Sequence, residues 1–268
     1  MDVIERRDEW LKRYQSWKSD HQVGGDVDSH YPFVENKRAP FVPSRSALPM
    51  LNLALISSAG AYLDGTEPFD IQAPDGDLTF REIPTEIEPA DLRFAARGYE
   101  NAAVNQDMNA QVPLARLAEF TSNGIIGQVN PAFWSFSGFI PNAARLAEEM
   151  LPKLVERVRR YEVQAALLIP ASRLCHQSVA LAARAIEAVG IPTMTLCVDK
   201  EVMESVRAPR AAFYEGEFGS VAGRPGWPEH QRRVLDEALR WLEPIDQPGV
   251  FNLTVELETS VEEERGER

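Results

Sequence analysis

The spacing of apolar residues changes several times along the chain, and each change marks an element. Between Val3 and Trp17, Ile4, Trp10, Leu11 and Tyr14 recur at three- and four-residue intervals, the period of an amphipathic helix. Prolines at 32, 40, 43 and 49 then interrupt any period from Tyr31 to Pro49. Their fixed φ and missing N–H predict an extended arm that wraps over another surface or another subunit. Leu51 to Gly60, LNLALISSAG, is a short continuous apolar run ending in small polar residues, the pattern of a buried parallel strand opening into a loop. Leu78 to Ile83 is a weaker strand between Asp75-Gly76 and Pro84. Pro113 to Ser122 reads as a helix that stops before Asn123-Gly124.

The second half is more regular. Ile125 to Phe139 carries Phe133, Trp134, Phe136 and Phe139, aromatics that either pack a core or line a pocket. Pro141 to Tyr161 is a helix with Ala147, Met150, Leu151, Leu154 and Val158 on one face, and Pro152 is positioned to kink it. A strand, Ala165 to Ile169, a helix from about His176 to Val189, a stop at Gly190 and a strand, Thr193 to Val198, make a βαβ unit. The predicted fold is therefore α/β, with parallel-sheet Rossmann-like layers. Residues 1–48 form the N-terminal helix and arm, 49–245 the α/β domain, and 246–268 a C-terminal strand and acidic tail. The domain divides into lobes of about 49–140 and 141–245 around a cleft. A right-handed crossover puts functional loops at the carboxyl ends of the strands.

Composition narrows the function. The chain has 268 residues, 44% hydrophobic and 26% charged, enough for a sizeable core without staples. A formal net charge of −13 argues against nucleic acid and anionic membranes as partners. Part of that charge lies in the tail from Glu256 to Arg268, which shows no apolar periodicity and is expected to fray. No apolar run is long enough to span a bilayer, and the start, MDVIERRDEW, lacks the pattern of a signal peptide. With two cysteines and no disulfide framework, a reducing cytoplasm is the expected compartment. The histidines at 21, 30, 176 and 230 have no ligand spacing, so no bound metal is expected. GxGxxG, Walker A, HExxH and nucleophile-elbow patterns are absent.

The residue to explain is Cys175, where the apolar strand hands over to the helix. A helix N-terminus favours thiolate, and His176 stands beside it, although adjacent helical residues do not face each other. A small buried cysteine explains the same position. Ser172 and Ser178 are candidate helix caps, and the S-x-x-C spacing excludes a thioredoxin-type disulfide within the loop. Cys197, at the end of the next strand, is either a second thiol within reach or a core residue. Ser57 and Ser58, at the end of the first strand, are candidates for holding a carboxylate or phosphate. The polar stretch from Arg93 to Asn109, with Arg97, Glu100 and Asp107, is either an anion clamp or a solvated loop.

Three segments carry a resemblance. FTSNGIIGQVNPAFWSFSGFI, AALLIPASRLCHQSVALAARAIEAVGIPT and APRAAFYEGEFGSVAGRPGWPEHQ, in that order, resemble segments of the glycine/sarcosine/betaine reductase protein B family, which includes the D-proline reductase selenoprotein subunit. The similarity runs from about Leu51 to Leu242. The resemblance implies reductive cleavage of a C–N bond of an amino acid or N-methylated derivative. The attacking residue, a selenocysteine or in some relatives a cysteine, falls by position on Cys175. It also implies a separately encoded subunit bearing a pyruvoyl group, and an external thiol reductant. One departure stands out: the family's histidine- and aspartate-rich stretch is here Gly98 to Gln106, without histidine, leading into Asp107-Met108-Asn109 and Pro113.

The expectation is therefore a cytoplasmic, oligomeric, cysteine-dependent reductase or reductase subunit. Cys175 would attack, His176 supply a proton, Asp107, Asn109 and Ser172 position a small substrate, and Ser57 and Ser58 bind its carboxylate. Cys197 or a thioredoxin-like partner would resolve the adduct. Two alternatives stay open: a cysteine-based racemase or decarboxylase, and a non-catalytic subunit of a reductase complex.

Overall fold

A computed structural model describes residues 2–20 and 30–255; the acidic tail and His21 lie outside the described residues. Helix α1 (Arg7–Asp20) is followed by the arm, which has no regular structure apart from a 3-10 turn at Leu48–Met50. Strands β1 (Asn52–Ser57), β2 (Ala61–Leu63), β3 (Arg81–Pro84) and β4 (Leu92–Phe94) come next, then helices α2 (Ala102–Gln106) and α3 (Leu114–Ser122). Strands β5 (Gln128–Val129) and β6 (Ala132–Ser135) lead into α4 (Ala143–Arg145), a π-helical turn (Leu146–Met150) and α5 (Leu151–Arg160). The last third runs β7 (Ala165–Ile169), α6 (Arg173–Glu187), β8 (Thr193–Cys197), α7 (Lys200–Val206), β9 (Arg210–Phe213), α8 (Pro228–Arg240) and β10 (Gly249–Asn252).

One sheet runs β10-β9-β8-β7-β1-β6-β3, with β5 also paired to β1. All its pairs are parallel except β3 against β6. This is the Rossmann-like α/β layout expected. β3 is the antiparallel edge strand, where Pro84 needs no ladder donor. Period-2 alternation sorts the strands into two cores. Ala54, Ile56, Ala166, Leu168 and Cys197 face α1, α5, α6 and α7, while Leu53, Leu55, Leu167, Met194 and Leu196 face α3 and α8. Among the described residues no helix is long and apolar enough to cross a membrane.

Pro152 acts as expected but through a wider turn. A proline cannot donate to the fourth residue back and its ring crowds that carbonyl, and the helix absorbs this as the π turn just before α5. The aromatic segment divides between its two readings. Phe133, Trp134 and Phe136 are core, whereas Phe139 also lines a cleft.

From Leu174 to Glu187 helix α6 is buried without a break, Arg184 and Glu187 included; only Arg173 at its start is exposed. The cause is the arm, which wraps this chain's own helix. Gln177 accepts the Val34 N–H at 2.7 Å and donates to the Tyr31 hydroxyl at 2.9 Å. Arg184 donates to the carbonyls of Asp2, Val3, Arg38 and Arg207, and Glu187 accepts the Val42 N–H. Glu187 also pairs with Arg210, both side chains fully buried. Removing one partner of such a pair leaves an uncompensated charge and costs about 3–5 kcal/mol.

Candidate functional site

The chain leaves β1 toward β5 and β6 but leaves β7 in the opposite direction, toward β8. The carboxyl ends of β1 and β7 therefore flank the switch point of the sheet, where open α/β folds place their ligands. Ser57 and Ser58 come from the first strand's end, and Ala171, Ser172 and Cys175 from the second's.

The loops are stitched together there. The Ser58 hydroxyl accepts the Ala171 N–H at 3.0 Å, and the Ser58 N–H donates to the Ile169 carbonyl at 3.0 Å. Ser172 is the N-cap of α6, its hydroxyl accepting the Cys175 N–H at 3.2 Å while donating to the Cys175 sulfur at 3.0 Å. The thiol points toward the Ser58 carbonyl, 3.9 Å away. Gly138 closes the chamber from the third side. A Cβ there would lie 2.5 Å from the Ser58 Cβ and 3.0 Å from the sulfur, so only glycine fits. Ser178 fastens this glycine by donating to its carbonyl at 2.7 Å.

Cys175 is 1% exposed and packs with Ala59, Ala171, Phe94 and Tyr99. Burial pushes its thiol up from the ordinary value, while the hydroxyls of Ser172 and Ser58 and the backbone N–H groups of Ala171 and Ser172 pull the other way. A helix N-terminus alone predicts a lowered value; in the closed chamber desolvation outweighs it. The Tyr99 ring packs against the cluster that holds the thiol, and its hydroxyl donates to the Ala59 carbonyl at 2.6 Å. Above lies a cleft of about 450 Å³ whose walls include Tyr99, Glu100, Phe139, Ser172, Arg173 and Phe218.

The other candidates behave differently. His176 is fully buried, with Nδ1 donating to the Ser172 carbonyl at 2.7 Å and Nε2 accepting the Val198 N–H at 3.1 Å. Desolvation pulls its pKa down to about 4, so the ring is neutral at pH 7 and braces α6 against the end of β8. Neither nitrogen is left to carry a proton to Cys175. Ser57 donates to the Gln111 carbonyl at 3.0 Å and faces the Ala59 N–H at 3.3 Å, so both serine hydroxyls of this loop are occupied internally.

Asp107 and Asn109 also serve the fold. Asp107 caps a 3-10 turn by accepting the Asn109 N–H, and its other oxygen accepts from the Gly226 N–H at 2.9 Å and the Gln231 amide at 2.7 Å. Burial works to raise this carboxyl, but the donors Gln231, Gly226 and Asn109 hold it below the usual range. Asn109 accepts the Ala115 N–H at 3.0 Å at the start of α3. The structure thus brings Ser58, Ser172 and Cys175 together, ties Asp107 to the loop before α8 and to α8 itself, and ties Asn109 to the start of α3. Cys197 lies in the core between the sheet and α6–α7, and burial pushes its thiol strongly up. Both cysteines are free, and among the described residues no group of three or more His, Cys, Asp or Glu is arranged to hold a metal ion.

Gly138, Tyr99 and Phe218 are site residues that sequence reasoning missed. The available signal was Gly98 and Gly219, both at positive φ (77° and 81°), which mark tight loops on the two sides of Tyr99. The family model for glycine/sarcosine/betaine reductase selenoprotein B matches residues 23–171, more than half of the chain. The chain belongs to this family. The match covers β1, Gly138 and β7 and stops one residue before Ser172. The D-proline reductase subunit gamma of Acetoanaerobium sticklandii is 29% identical over 209 residues, 78% of this chain and 85% of the relative. The glycine reductase complex component B subunit gamma of Symbiobacterium thermophilum is 26% identical over 240 residues, 85% of this chain and 54% of the relative. The betaine reductase complex component B subunit beta of Peptoclostridium acidaminophilum is 23% identical over 209 residues, 69% of this chain and 46% of the relative. The chain spans about half the length of these last two. No solved structure gives a match.

Proposed function

We propose that this selenoprotein B family chain is the thiol-bearing subunit of a reductase complex, and that Cys175 attacks a small amino-acid-like substrate. The observation that carries this is the chamber at the switch point. A sulfur lies at the first turn of a 15-residue helix, 3.0 Å from a serine hydroxyl, beneath a cleft of about 450 Å³. Hydroxyl and helix terminus are in place to hold a thiolate once the Tyr99 ring lifts.

In the proposed step a C–S bond forms as the C–N bond breaks, and the nitrogen leaves with the bonding pair and takes a proton. A second thiol then joins Cys175 in a disulfide, the carbon departs with a proton, and an external dithiol returns Cys175 to the thiol. Because Cys197 is walled into the opposite core, the second thiol is assigned to a thioredoxin-like partner or a small dithiol. The proton donor is assigned to solvent or substrate, since His176 is engaged at both nitrogens. A partner subunit carrying a substrate-capturing pyruvoyl carbonyl, which the family resemblance implies, belongs to the same reading.

The test is turnover of D-proline, glycine, sarcosine and betaine with a dithiol donor, using the chain together with its partner subunits. Cys175→Ser is expected to abolish turnover, and full activity in that variant overturns the mechanism. A second reading, a non-catalytic subunit, draws on the closed chamber and on the histidine-free segment from Gly98 to Gln106. Alkylation separates the two. Under the catalytic reading Cys175 reacts with iodoacetamide at neutral pH faster than a model thiol once Tyr99 is trimmed to alanine, and under the other it does not.

A further inference from the structure

We propose that a second cavity, remote from the thiol, binds a small organic anion: a carboxylate or phosphate head group on an apolar body. The cavity, about 600 Å³, opens at the edge of the sheet between the arm, the end of α7 and the chain entering β10. That volume suits a small molecule. Its floor is apolar, from Met203, Ala208 and Val250, and its rim carries Lys37, Arg38 and Arg207. No residue of the thiol's cleft contributes to it.

The rim is the unusual part. The chain carries a net charge of −13, and most of its described arginines are paired with carboxylates. Among the described residues, none of Lys37, Arg38 and Arg207 is in an ion pair within 4 Å, although all three side chains are exposed at one opening. The acid that shares the cavity, Glu204, faces Lys200 at 3.9 Å. Glu5 lies nearby: its two oxygens accept the backbone N–H groups of Lys37 and Arg38, at 2.9 Å each, and its charge acts on the buried Arg184 at 3.9 Å and, beyond ion-pair distance, on Arg38.

The rim is also held in place. One nitrogen of the buried Arg184 guanidinium donates to the carbonyls of both Arg38 and Arg207, at 2.6 and 3.0 Å, so two of the three cations stand on backbones fixed by a single group. Arg207 occupies the left-handed conformation, φ 59° and ψ 60°, at the C-cap of α7, a place usually given to glycine. A cation is favourable at a helix C-terminus in any case, so this conformation alone decides nothing. The convergence of three cations over an apolar floor, with no ion pair within 4 Å among the described residues, does. Two guanidinium forks suit carboxylate and phosphate oxygens, and the floor favours a ligand with an apolar body over a bare inorganic ion.

Calorimetric titration of the full chain at low salt with 1-naphthyl phosphate, 1-naphthoate and 1-naphthol tests this. One site per chain is expected for the two anions, weakening as salt is raised, with the neutral naphthol at least about tenfold weaker. The triple variant Lys37→Ala, Arg38→Ala, Arg207→Ala is expected to lose about a hundredfold in anion affinity while melting as the parent does. Arg173→Ala, which alters the thiol's cleft, should leave the anions bound. The tighter of the two anions identifies the preferred head group. Equal binding of naphthol, unchanged binding in the triple variant, loss of binding in Arg173→Ala, or no binding at millimolar probe overturns the proposal.

Discussion

Cys175 and Cys197 are both buried, at 1% and 0% exposure, and desolvation pushes both thiols up, yet they sit in different walls of the molecule. Cys197 lies in the core beneath α6 and α7, where burial pushes its thiol up and the backbone N–H of Asp199 works against that. Cys175 has the Ser172 hydroxyl on one side, a glycine with no room for a side chain on another, and packed on its cluster the Tyr99 ring, which also lines a cleft. Burial does not separate a packing thiol from a reactive one. What stands behind the sulfur, and how little must move to uncover it, does.

The comparison breaks most visibly in activity. Cys175→Ser should reduce turnover by at least about a thousandfold while Cys197→Ala stays within about twofold, as loss of a nucleophile differs from loss of a core atom. Equal effects of the two changes on turnover would erase the distinction. Next is access. In a Cys197→Ala background, Tyr99→Ala should raise the iodoacetamide rate of Cys175 by about tenfold or more, and Tyr99→Phe by less, since it keeps the ring and loses only the bond to Ala59. A rate that tracks global unfolding in all three proteins would show that the ring is no gate.

Packing behind the sulfur gives a smaller effect. Gly138→Ala should destabilise by up to about 3 kcal/mol in urea unfolding, because its Cβ meets the Ser58 Cβ rather than a flexible side-chain end. Smallest is the pH response of the brace next to Cys175. A histidine held at about 4 when folded and near 6.5 when unfolded contributes stability that is complete above the unfolded value and lost as pH falls through the folded one. From pH 7.5 to pH 5 the loss is about 2 kcal/mol, and His176→Gln should flatten that part of the stability profile.

Much of this was readable from the chain. β1, β7, β8 and α6 follow from continuous apolar runs and a 3.6 period, because parallel strands buried on both faces leave no other pattern. β2 and β4 were not readable: each has three residues, too few for any period to show. The polar positions of α6, Gln177, Arg184 and Glu187, look like a solvent face in sequence. Each instead satisfies backbone of an arm whose course no local pattern reveals. In the site, Ser172 and Cys175 were visible through capping chemistry, and Ser58 through its place at a strand end. Asp107 and Asn109 show why such polar residues are hard to read in sequence. The side chains that position a ligand are the same ones that cap a turn, and here all of their bonds close within the chain. Gly138 left no mark, since what it contributes is a missing carbon.

The arm that covers α6 also orders events at the ribosome. The Val34 amide finds its acceptor on Gln177, 143 residues later, so this part of the arm is made long before the helix it grips. At ordinary elongation rates that interval is roughly 7–30 s. During it the arm is complete and the helix that it will cover is not yet made. Closure therefore comes late and joins an early segment to a later one in time as well as in space, so a nascent protein stalled before Arg173 would hold every strand from β1 to β7 with the arm still unseated.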